Sequence, residues 1–184
     1  MGMFELAWLR DLVGPSGHAD GGENPADIPL APVERLPGPV LLAYASQTGV
    51  AEDLAKATEE QLLAAGIASE LVDFYELDLP RLTAARQVLF LVSTTGDGDP
   101  PDMAEGFHAE AMGAPAALGE LRYGLLALGD RSYEHFCGFG RRLDAWLLAS
   151  GARPWFPRVD VDDEDAAALQ HWHEQVGALA AATA

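Results

Sequence analysis

Short, nearly continuous apolar runs alternate with amphipathic segments from residue 40 of the chain onwards. Residues 40–45, 88–92 and 125–128 form such runs, a pattern typical of strands that helices cover on both faces of a parallel sheet. Residues 68–73 predict a further strand, and residues 152–156 predict a fifth. The pattern therefore predicts a five-stranded parallel sheet.

Segments with apolar residues three or four positions apart follow the predicted strands. Three of them predict helices whose apolar faces carry Ala51, Leu54, Ala55, Thr58 and Leu62, then Phe139, Leu143, Trp146 and Leu147, and finally Leu169, Trp172, Val176 and Leu179. Gly66 and Gly151 are placed to end the first two. This alternation predicts a doubly wound α/β fold of three layers with right-handed crossovers. Ligands of such sheets bind beyond the carboxyl ends of the strands, where the strand order reverses.

The first 38 residues differ from the rest, because glycine, proline and acidic residues are frequent in them. Phe4, Trp8, Leu9 and Leu12 predict one face of a short helix that ends at Gly14. We interpret residues 1–38 as a leader and linker, and residues 39–184 as one α/β domain. The short helix would dock on the domain, lie on a partner or be disordered, and its length leaves these possibilities open.

Composition and charge narrow the classes of function. The chain has 184 residues, of which 49% are hydrophobic, enough for one compact domain. No window of about 18 apolar residues predicts a membrane span. With 29 acidic against 11 basic side chains, the formal charge of -18 argues against nucleic-acid binding, which needs clustered cations. This charge favours either docking to a basic protein or solubility alone.

The cysteine content and the N-terminus bear on the compartment. Cys137 is the single cysteine, which excludes an internal disulfide and a cysteine-based metal site. Charged residues interrupt the short apolar stretch after Met1, and no signal-peptide cleavage pattern follows. The cytoplasm is therefore the predicted compartment.

The first of three polar loops, residues 46–49, follows the first predicted strand. Ser46, Thr48 and Gly49 lie before a helix N-terminus, where free backbone N–H groups and the helix dipole attract an anion. No lysine or arginine occurs from Ser46 up to Lys56, and the lysine-bearing loop of triphosphate sites and the GxGxxG dinucleotide turn are both missing. The loop thus predicts either a monophosphate site or an ordinary helix N-cap.

The second loop, residues 93–99, contains Gly96 and Gly98 in a Gly-Asp-Gly-Asp run. Glycines permit close approach of the backbone, so peptide groups can bond the edge of a flat heterocycle. Asp97 and Asp99 would place negative charge near that ring and lower the potential of its second reduction. The alternative interpretation is a tight loop with acidic turn residues.

The third loop, residues 128–137, contains Tyr133, an aromatic side chain that can stack on a ring held by the second loop. We interpret His135 as a hydrogen-bonded loop residue, because no nearby serine or second histidine completes a nucleophilic site. Cys137 is interpreted as a packed side chain and not a reactive thiol. The sequence therefore predicts no catalytic residue and no metal ligand.

Three segments resemble, in order and spacing, the FMN-binding domain of the diflavin reductase family: LLAYASQTGVAEDLA, STTGDGDPPDMA and LGDRSYEHFCGFGRRLDAWL. The likeness is greatest to the flavoprotein subunit of NADPH-dependent sulfite reductase, and next to cytochrome P450 reductase. RVDVDDEDAAALQHW resembles the stretch that closes this domain. The resemblance implies a flavodoxin-like fold of strand order 2-1-3-4-5 with one non-covalent FMN.

The resemblance also implies which residues contact FMN. The phosphate loop would comprise Ser46, Gln47, Thr48, Gly49, Val50 and Ala51. The ring would lie between Ser93, Thr94, Thr95, Gly96, Asp97 and Gly98 on one side and Leu128, Gly129, Asp130, Tyr133, Phe136 and Cys137 on the other. Asp162 belongs to a segment that approaches the flavin in these reductases, whereas its acidic neighbours are interpreted as a solvated patch.

Two positions depart from the family pattern. Val50 stands where relatives often carry threonine or asparagine, so one donor to the phosphate is missing, at a cost of about 1 kcal/mol. Thr95 replaces an aromatic residue or glutamine near one face of the ring. That face is therefore expected to be more open to solvent, oxygen or a partner.

The diflavin reductases continue into an FAD- and NADPH-binding module, which the 184 residues do not include. The leading hypothesis is an FMN-dependent electron carrier, either a flavodoxin served by a separate flavoprotein reductase or the FMN module of a longer reductase. It would pass electrons singly to a haem or iron–sulfur acceptor. A second hypothesis is an NAD(P)H:quinone reductase that uses FMN, for which Thr95 would leave room. A third is a flavin-free interaction domain that acts through its acidic surface.

Overall fold

The computed structural model describes residues 28–32 and 38–182. Its strands are β1 (Val40–Ala45), β2 (Ser69–Asp73), β3 (Gln87–Ser93), β4 (Arg122–Gly129), β5 (Arg153–Pro154) and β6 (Val159–Asp162). Its helices are α1 (Val50–Ala64), α2 (Leu79–Ala84), α3 (Asp102–Ala111), α4 (Gly138–Ala149) and α5 (Ala166–Ala181). The predicted helix near Phe4 lies outside the described residues, and the domain boundary at residue 38 stays a prediction.

The strands form one parallel sheet in the order β2-β1-β3-β4-β5, and β6 also pairs with β4. The chain passes from β1 outward to β2 and then back to β3 on the other side of β1. The order therefore reverses between β1 and β3, and a crevice opens beyond their carboxyl ends. The predicted doubly wound fold and its strand order are confirmed.

The fifth position of the sheet differs from the single strand predicted over residues 152–156. β5 pairs only with the start of β4, and β6 pairs with its second half. Between them Phe156 packs so closely on Gly124 that a Cβ atom there would lie 2.6 Å from the ring. Pro157 has no N–H group to extend the ladder. The sheet therefore has six strands, and β6 leads residues 160–163 to the carboxyl edge.

Two apolar clusters fill the spaces between the sheet and its helices. On one face, Leu62 of α1 and Trp172 of α5 are buried. On the other face, Leu82 of α2, Phe107 of α3 and Trp146 of α4 are buried. The predicted three layers are thereby confirmed. Within the described ranges, no helix is both long enough and apolar enough to cross a membrane.

The helix boundaries position the three loops. Gly66 and Gly151 follow α1 and α4 with φ angles of 75° and 86°, a left-handed conformation that glycine adopts without strain and that ends a helix. α1 begins directly after the first loop, and α4 begins directly after the third loop. Two helix N-termini and the second loop therefore meet at the carboxyl edge of the sheet.

Candidate cofactor-binding site

A cleft of about 380 Å³ lies where the three loops meet, a volume typical of small-molecule sites. Most of the residues predicted to contact a ligand line it: Gln47, Thr48, Val50, Ser93, Thr94, Thr95, Gly96, Leu128, Gly129, Asp130, Tyr133, Phe136 and Cys137. His135, Asp163 and Glu164 line it as well, beyond the predicted set. The remaining predicted residues do not line the cleft: Ser46, Gly49, Ala51, Asp97, Gly98 and Asp162.

Ser46 supports the first loop from within. Its Oγ accepts hydrogen bonds from the N–H groups of Gly49 (2.9 Å) and Ala51 (3.3 Å), and Gly49 has the left-handed φ of 97° that this turn requires. The backbone N–H groups of Gln47, Thr48 and Val50 have no acceptor among the described residues. The loop thus has features of both interpretations, a helix cap and an anion site. Its serine bonds the turn, while other amides stay available to an anion.

The second loop is closed by a pair of backbone hydrogen bonds between Thr95 and Asp99, of 2.9 and 2.8 Å. Gly96 and Gly98 at its tip have φ angles of 49° and 101°. The Thr95 hydroxyl donates to the Pro100 carbonyl at 3.1 Å. Thr95 therefore braces its own loop while it lines the cleft, and the predicted opening of the ring face beside it stays a prediction.

Thr94 provides a test of whether a ligand fits. Its hydroxyl oxygen is buried at the cleft and has no hydrogen-bond partner in the described part of the chain. A buried polar group without a partner costs free energy unless another molecule supplies one. The hydroxyl, the unused amides of the first loop and the glycine-bearing second loop together fit a ligand with an anionic group and a flat polar ring.

Tyr133 and Asp130 shape the wall formed by the third loop. Tyr133 is 54% exposed at the cleft, so its ring can cover a flat ligand. The Asp130 carboxylate accepts a hydrogen bond from the Ser132 N–H at 2.8 Å. Hydrogen bonding from the Ser132 side chain, and then from its N–H, lowers the pKa of Asp130. A negative charge is therefore fixed at this wall.

Asp162 bonds the third loop through its carboxylate, and its predicted approach to FMN stays a prediction. Its carboxylate accepts from the Arg131 N–H at 2.9 Å, and the Arg131 guanidinium lies 3.5 Å away. Arg131 in turn stacks on the ring of Phe136, at 4.9 Å from the centroid. Asp162 therefore supports the third loop from outside and does not line the cleft.

Cys137 lies at the base of the same wall. It is fully buried, its Sγ donates to the Ala127 carbonyl at 3.2 Å, and burial raises its pKa to about 12. At Gly129 a Cβ atom would lie 2.7 Å from the Cys137 nitrogen. Cys137 is thus a packed side chain, as predicted, and only glycine fits at position 129 beside it.

His135 and Asp97 join the third loop to the second. Their Nδ1 and Oδ1 atoms are 3.0 Å apart, with both side chains exposed. The hydrogen bond raises the pKa of His135 and lowers the pKa of Asp97. Glu134 lies close enough for the three to approach a cation together, but all three are exposed, and a metal site normally has a surrounding shell that orients its ligands.

The acidic residues between positions 160 and 165 have different roles. Asp160 pairs with Arg158 at 2.6 Å, and Asp165 caps α5 by accepting from two amides at its start. Asp163 and Glu164 are exposed at the cleft and have no ion-pair partner among the described residues. The predicted solvated patch therefore reduces to these two carboxylates.

Comparison with known proteins gives this site a family. The flavodoxin family model matches residues 42–172 of the chain. The chain belongs to the flavodoxin family. Membership implies that the cleft is an FMN site, in agreement with the donors that line it. An electron-transfer protein is accordingly the class of function.

Curated relatives narrow the family further. The sulfite reductase (NADPH) flavoprotein alpha-component of Aliivibrio fischeri is 37% identical over 93% of this chain and 29% of its own length. The protein of the same name from Shewanella sp. (strain ANA-3) is 38% identical over 94% of this chain and 28% of its own. The resemblance to this subunit is confirmed, and the chain spans less than a third of the length of these relatives.

Solved flavodoxin structures agree with the fold. A cysteine variant of the flavodoxin from Pseudomonas aeruginosa has a TM-score of 0.67 at 27% identity and covers 79% of this chain and 98% of its own. A flavodoxin from Streptococcus pneumonia TIGR4 has a TM-score of 0.68 at 23% identity, covering 78% of this chain and 99% of its own. The second likeness bears on the fold alone.

Proposed function

We propose that the chain is an FMN-dependent electron carrier that accepts electrons from a flavoprotein reductase and passes them singly to a haem or iron–sulfur acceptor. The observation that carries the proposal is the cleft formed by three loops at the carboxyl edge of a flavodoxin-family sheet. When bound, FMN supplies the redox chemistry, because a flavin exchanges one or two electrons. The protein supplies binding, orientation and charge.

The first loop would hold the phosphate by its backbone. The N–H groups of Gln47, Thr48 and Val50 lie at the start of α1, where the positive end of the helix dipole favours an anion. The Thr48 hydroxyl adds a donor at the cleft. This arrangement needs no basic side chain, which agrees with the absence of lysine and arginine from the loop.

The other two loops would hold the ring. Tyr133 would stack on one face, and the peptide groups around Gly96 would meet the ring edge, with the Thr94 hydroxyl as a further donor. Asp97 and Asp130 oppose the addition of negative charge to the ring, which lowers the affinity for electrons. A protonated His135 offsets Asp97, since the two side chains form a pair.

Charge at the cleft supports a basic docking partner. Asp163 and Glu164 lie exposed at its mouth, on a chain whose formal charge is -18. We propose that donor and acceptor present basic surfaces here, because opposite charge speeds association at low salt. The double variant D163N/E164Q should slow reduction of cytochrome c, used as a basic haem acceptor, whereas E59Q/E60Q removes the same charge from α1 and should not.

The experiment that tests the function is reconstitution followed by reduction. Purified protein mixed with FMN should become yellow, retain FMN through gel filtration and take up electrons in an anaerobic reductive titration. It should then reduce cytochrome c. Failure to retain FMN, or failure of the bound flavin to be reduced, would refute the proposal.

The two alternative functions are not favoured. A flavin-free interaction domain disagrees with membership of the flavodoxin family. A direct NAD(P)H:quinone reductase rests only on the predicted opening beside Thr95, and steady consumption of NADPH with a quinone by this chain alone would revive it. The boundary at residue 38 and a cytoplasmic location stay predictions from the sequence.

A further inference from the structure

Hydrogen bonds hold one part of the second loop and leave another part without such bonds. The Asp99 N–H donates to the Thr95 carbonyl at 2.8 Å, so the peptide between Gly98 and Asp99 is fixed at one end. Arg142 of α4 fixes the other end, because its Nη2 donates to the Gly98 carbonyl at 2.6 Å. The two peptide groups between Gly96 and Gly98 have no partner within the described residues. In the described part of this loop, these two peptides are thus the ones that no hydrogen bond holds, and they follow Gly96 at the cleft.

Close packing leaves Gly98 little room to move. Its φ angle is 101°, and a Cβ atom built on it would lie 2.7 Å from the Cβ of His135. A Cβ atom on Gly138, the first residue of α4, would lie 2.7 Å from the Gly98 Cα. The backbone of the loop thus rests directly on the start of α4, which puts the Gly98 carbonyl within reach of a side chain one helical turn further along.

The surroundings of Arg142 strengthen its hydrogen bond. The side chain is half-buried, and burial lowers the pKa of Arg142 while the nearby Asp99 carboxylate opposes that shift. His108 of α3 lies close by, and burial together with the Arg142 charge lowers its pKa as well. A charged donor in such partly dry surroundings forms a stronger hydrogen bond than a neutral donor in water.

We propose that Arg142 is the positioning residue of the second loop, because it holds the Gly98 carbonyl against α4 and confines movement to the two peptides that follow Gly96 at the cleft. Its consequences for FMN rest on the proposed function. A loop that is held before binding loses less conformational freedom on binding, so FMN binds more tightly. The positive charge of Arg142 also favours the reduced and more negative cofactor.

The first test uses the protein without cofactor. Exchange of the Asp99 amide hydrogen, followed by NMR, should be about tenfold faster in R142M, because the loop opens more often once the Gly98 carbonyl is released. R142Q retains an amide donor without the charge and should keep most of the protection. R86M, at the amino edge of the sheet, is the matched control and should change nothing.

The second test uses FMN. The Kd of FMN should rise about tenfold in R142M and less than about threefold in R142Q. At a fixed potential the ratio of reduced to oxidised protein should fall roughly threefold to tenfold in both, because both lose the charge. R142K keeps the charge and should leave this ratio near that of the unaltered protein, an effect that a purely structural role would not produce.

Several results would overturn the proposal. Unchanged Asp99 exchange in R142M would do so, as would equal losses of protection in R142M and R142Q, since the charge and not the hydrogen bond would then matter. Should R142M fail to fold, R142Q and R142K replace it, and equal potentials in these two variants would count against the role of the charge. If the unaltered protein rejects FMN, the proposed function fails, while the exchange experiment still decides the role of Arg142.

Discussion

Two sets of polar side chains differ in how completely the protein satisfies them. In the Asp144 network, Tyr123 donates to one carboxylate oxygen of Asp144 at 2.6 Å and Arg158 donates to the other at 2.7 Å. Around the cleft, by contrast, the Thr94 hydroxyl has no partner among the described residues, and the exposed His135 meets Asp97 in solvent. Groups completed inside the protein stabilise the fold, whereas incomplete ones remain available to a ligand.

Among the substitutions considered below, one in the Asp144 network should lower the free energy of unfolding most. Burial raises the pKa of Asp144, and its bonds to Tyr123 and Arg158 oppose that shift. D144A would leave the Tyr123 hydroxyl without its acceptor and Arg158 with Asp160 as its remaining partner, so we expect a loss of about 3 kcal/mol in the free energy of unfolding. Urea denaturation of the apo-protein measures it. The control E120A, at an exposed turn, should change the free energy of unfolding by less than about 0.5 kcal/mol. A similarly small effect of D144A would show that the Asp144 network does not stabilise the fold.

Removing one donor from the same network should cost less. Y123F deletes the hydroxyl that bonds Asp144 while the ring stays buried. We expect a loss of about 2 kcal/mol, because a hydrogen bond to a charged group is lost without creating a cavity. Urea denaturation again measures the change, with Y75F as the exposed control. Equal effects of Y123F and Y75F would show that the Tyr123 hydroxyl contributes nothing.

The sequence predicts the location of the cleft well because that location follows from local patterns. Each of the three loops directly follows an apolar run, and parallel strands bring their carboxyl ends to one edge. Ser46 shows the limit of this reasoning. A hydroxyl before a helix can donate to a ligand or accept from its own loop, and only the folded turn shows that it accepts from Gly49 and Ala51.

What the sequence does not predict depends on contacts between distant segments. β6 forms because Phe156 packs on Gly124 and interrupts the fifth strand, and no local pattern encodes that contact. Asp163 and Glu164 reach the cleft only as a result of β6. The position of His135 in the third loop, two residues after Tyr133, is a signal that places it near the site. Its pairing with Asp97 of the second loop leaves no signal in the sequence spacing.

Two threonines with buried hydroxyl groups, one bonded within the fold and one not, allow the comparison to be tested between side chains of the same type. The Thr58 hydroxyl donates to the Leu54 carbonyl at 2.8 Å and accepts from the Trp172 indole at 3.0 Å, whereas the Thr94 hydroxyl has no partner in the described part of the chain. T58V should lower the free energy of unfolding by about 1 to 2 kcal/mol, because the indole N–H loses its acceptor. T94V should leave the apo-protein unchanged or more stable.

T94V should nevertheless weaken FMN binding. Loss of one donor to the cofactor corresponds to about 1 kcal/mol, or roughly a fivefold increase in Kd. Titration of the apo-protein with FMN, followed by the quenching of flavin fluorescence, measures the affinity, and T58V serves as the matched control. If T94V destabilised the apo-protein as much as T58V does, the Thr94 hydroxyl would have a partner within the fold, and its availability to a ligand would be refuted.

The smallest effect is expected for the exposed pair of His135 and Asp97. Asp97 raises the pKa of His135 above its ordinary value of 6.5, and His135 lowers the pKa of Asp97 below 3.8. The stabilisation linked to His135 is therefore fully present below about pH 6.5 and is lost as the pH rises through its folded pKa. The contribution linked to Asp97 is present above about pH 3.8 and is lost as the pH falls. Between about pH 3.8 and pH 6.5, therefore, both groups are charged and the ion pair is fully formed.

NMR titration of the histidine ring in the apo-protein measures this pair directly. In D97N the pKa of His135 should fall toward 6.5, because the largest cause of its shift, the hydrogen bond to Asp97, loses its charged acceptor. E134Q should lower it less, since Glu134 acts only through charge. An unchanged titration in D97N would mean that the second and third loops are not joined by this pair in solution, and that His135 does not offset the charge of Asp97 at the cleft.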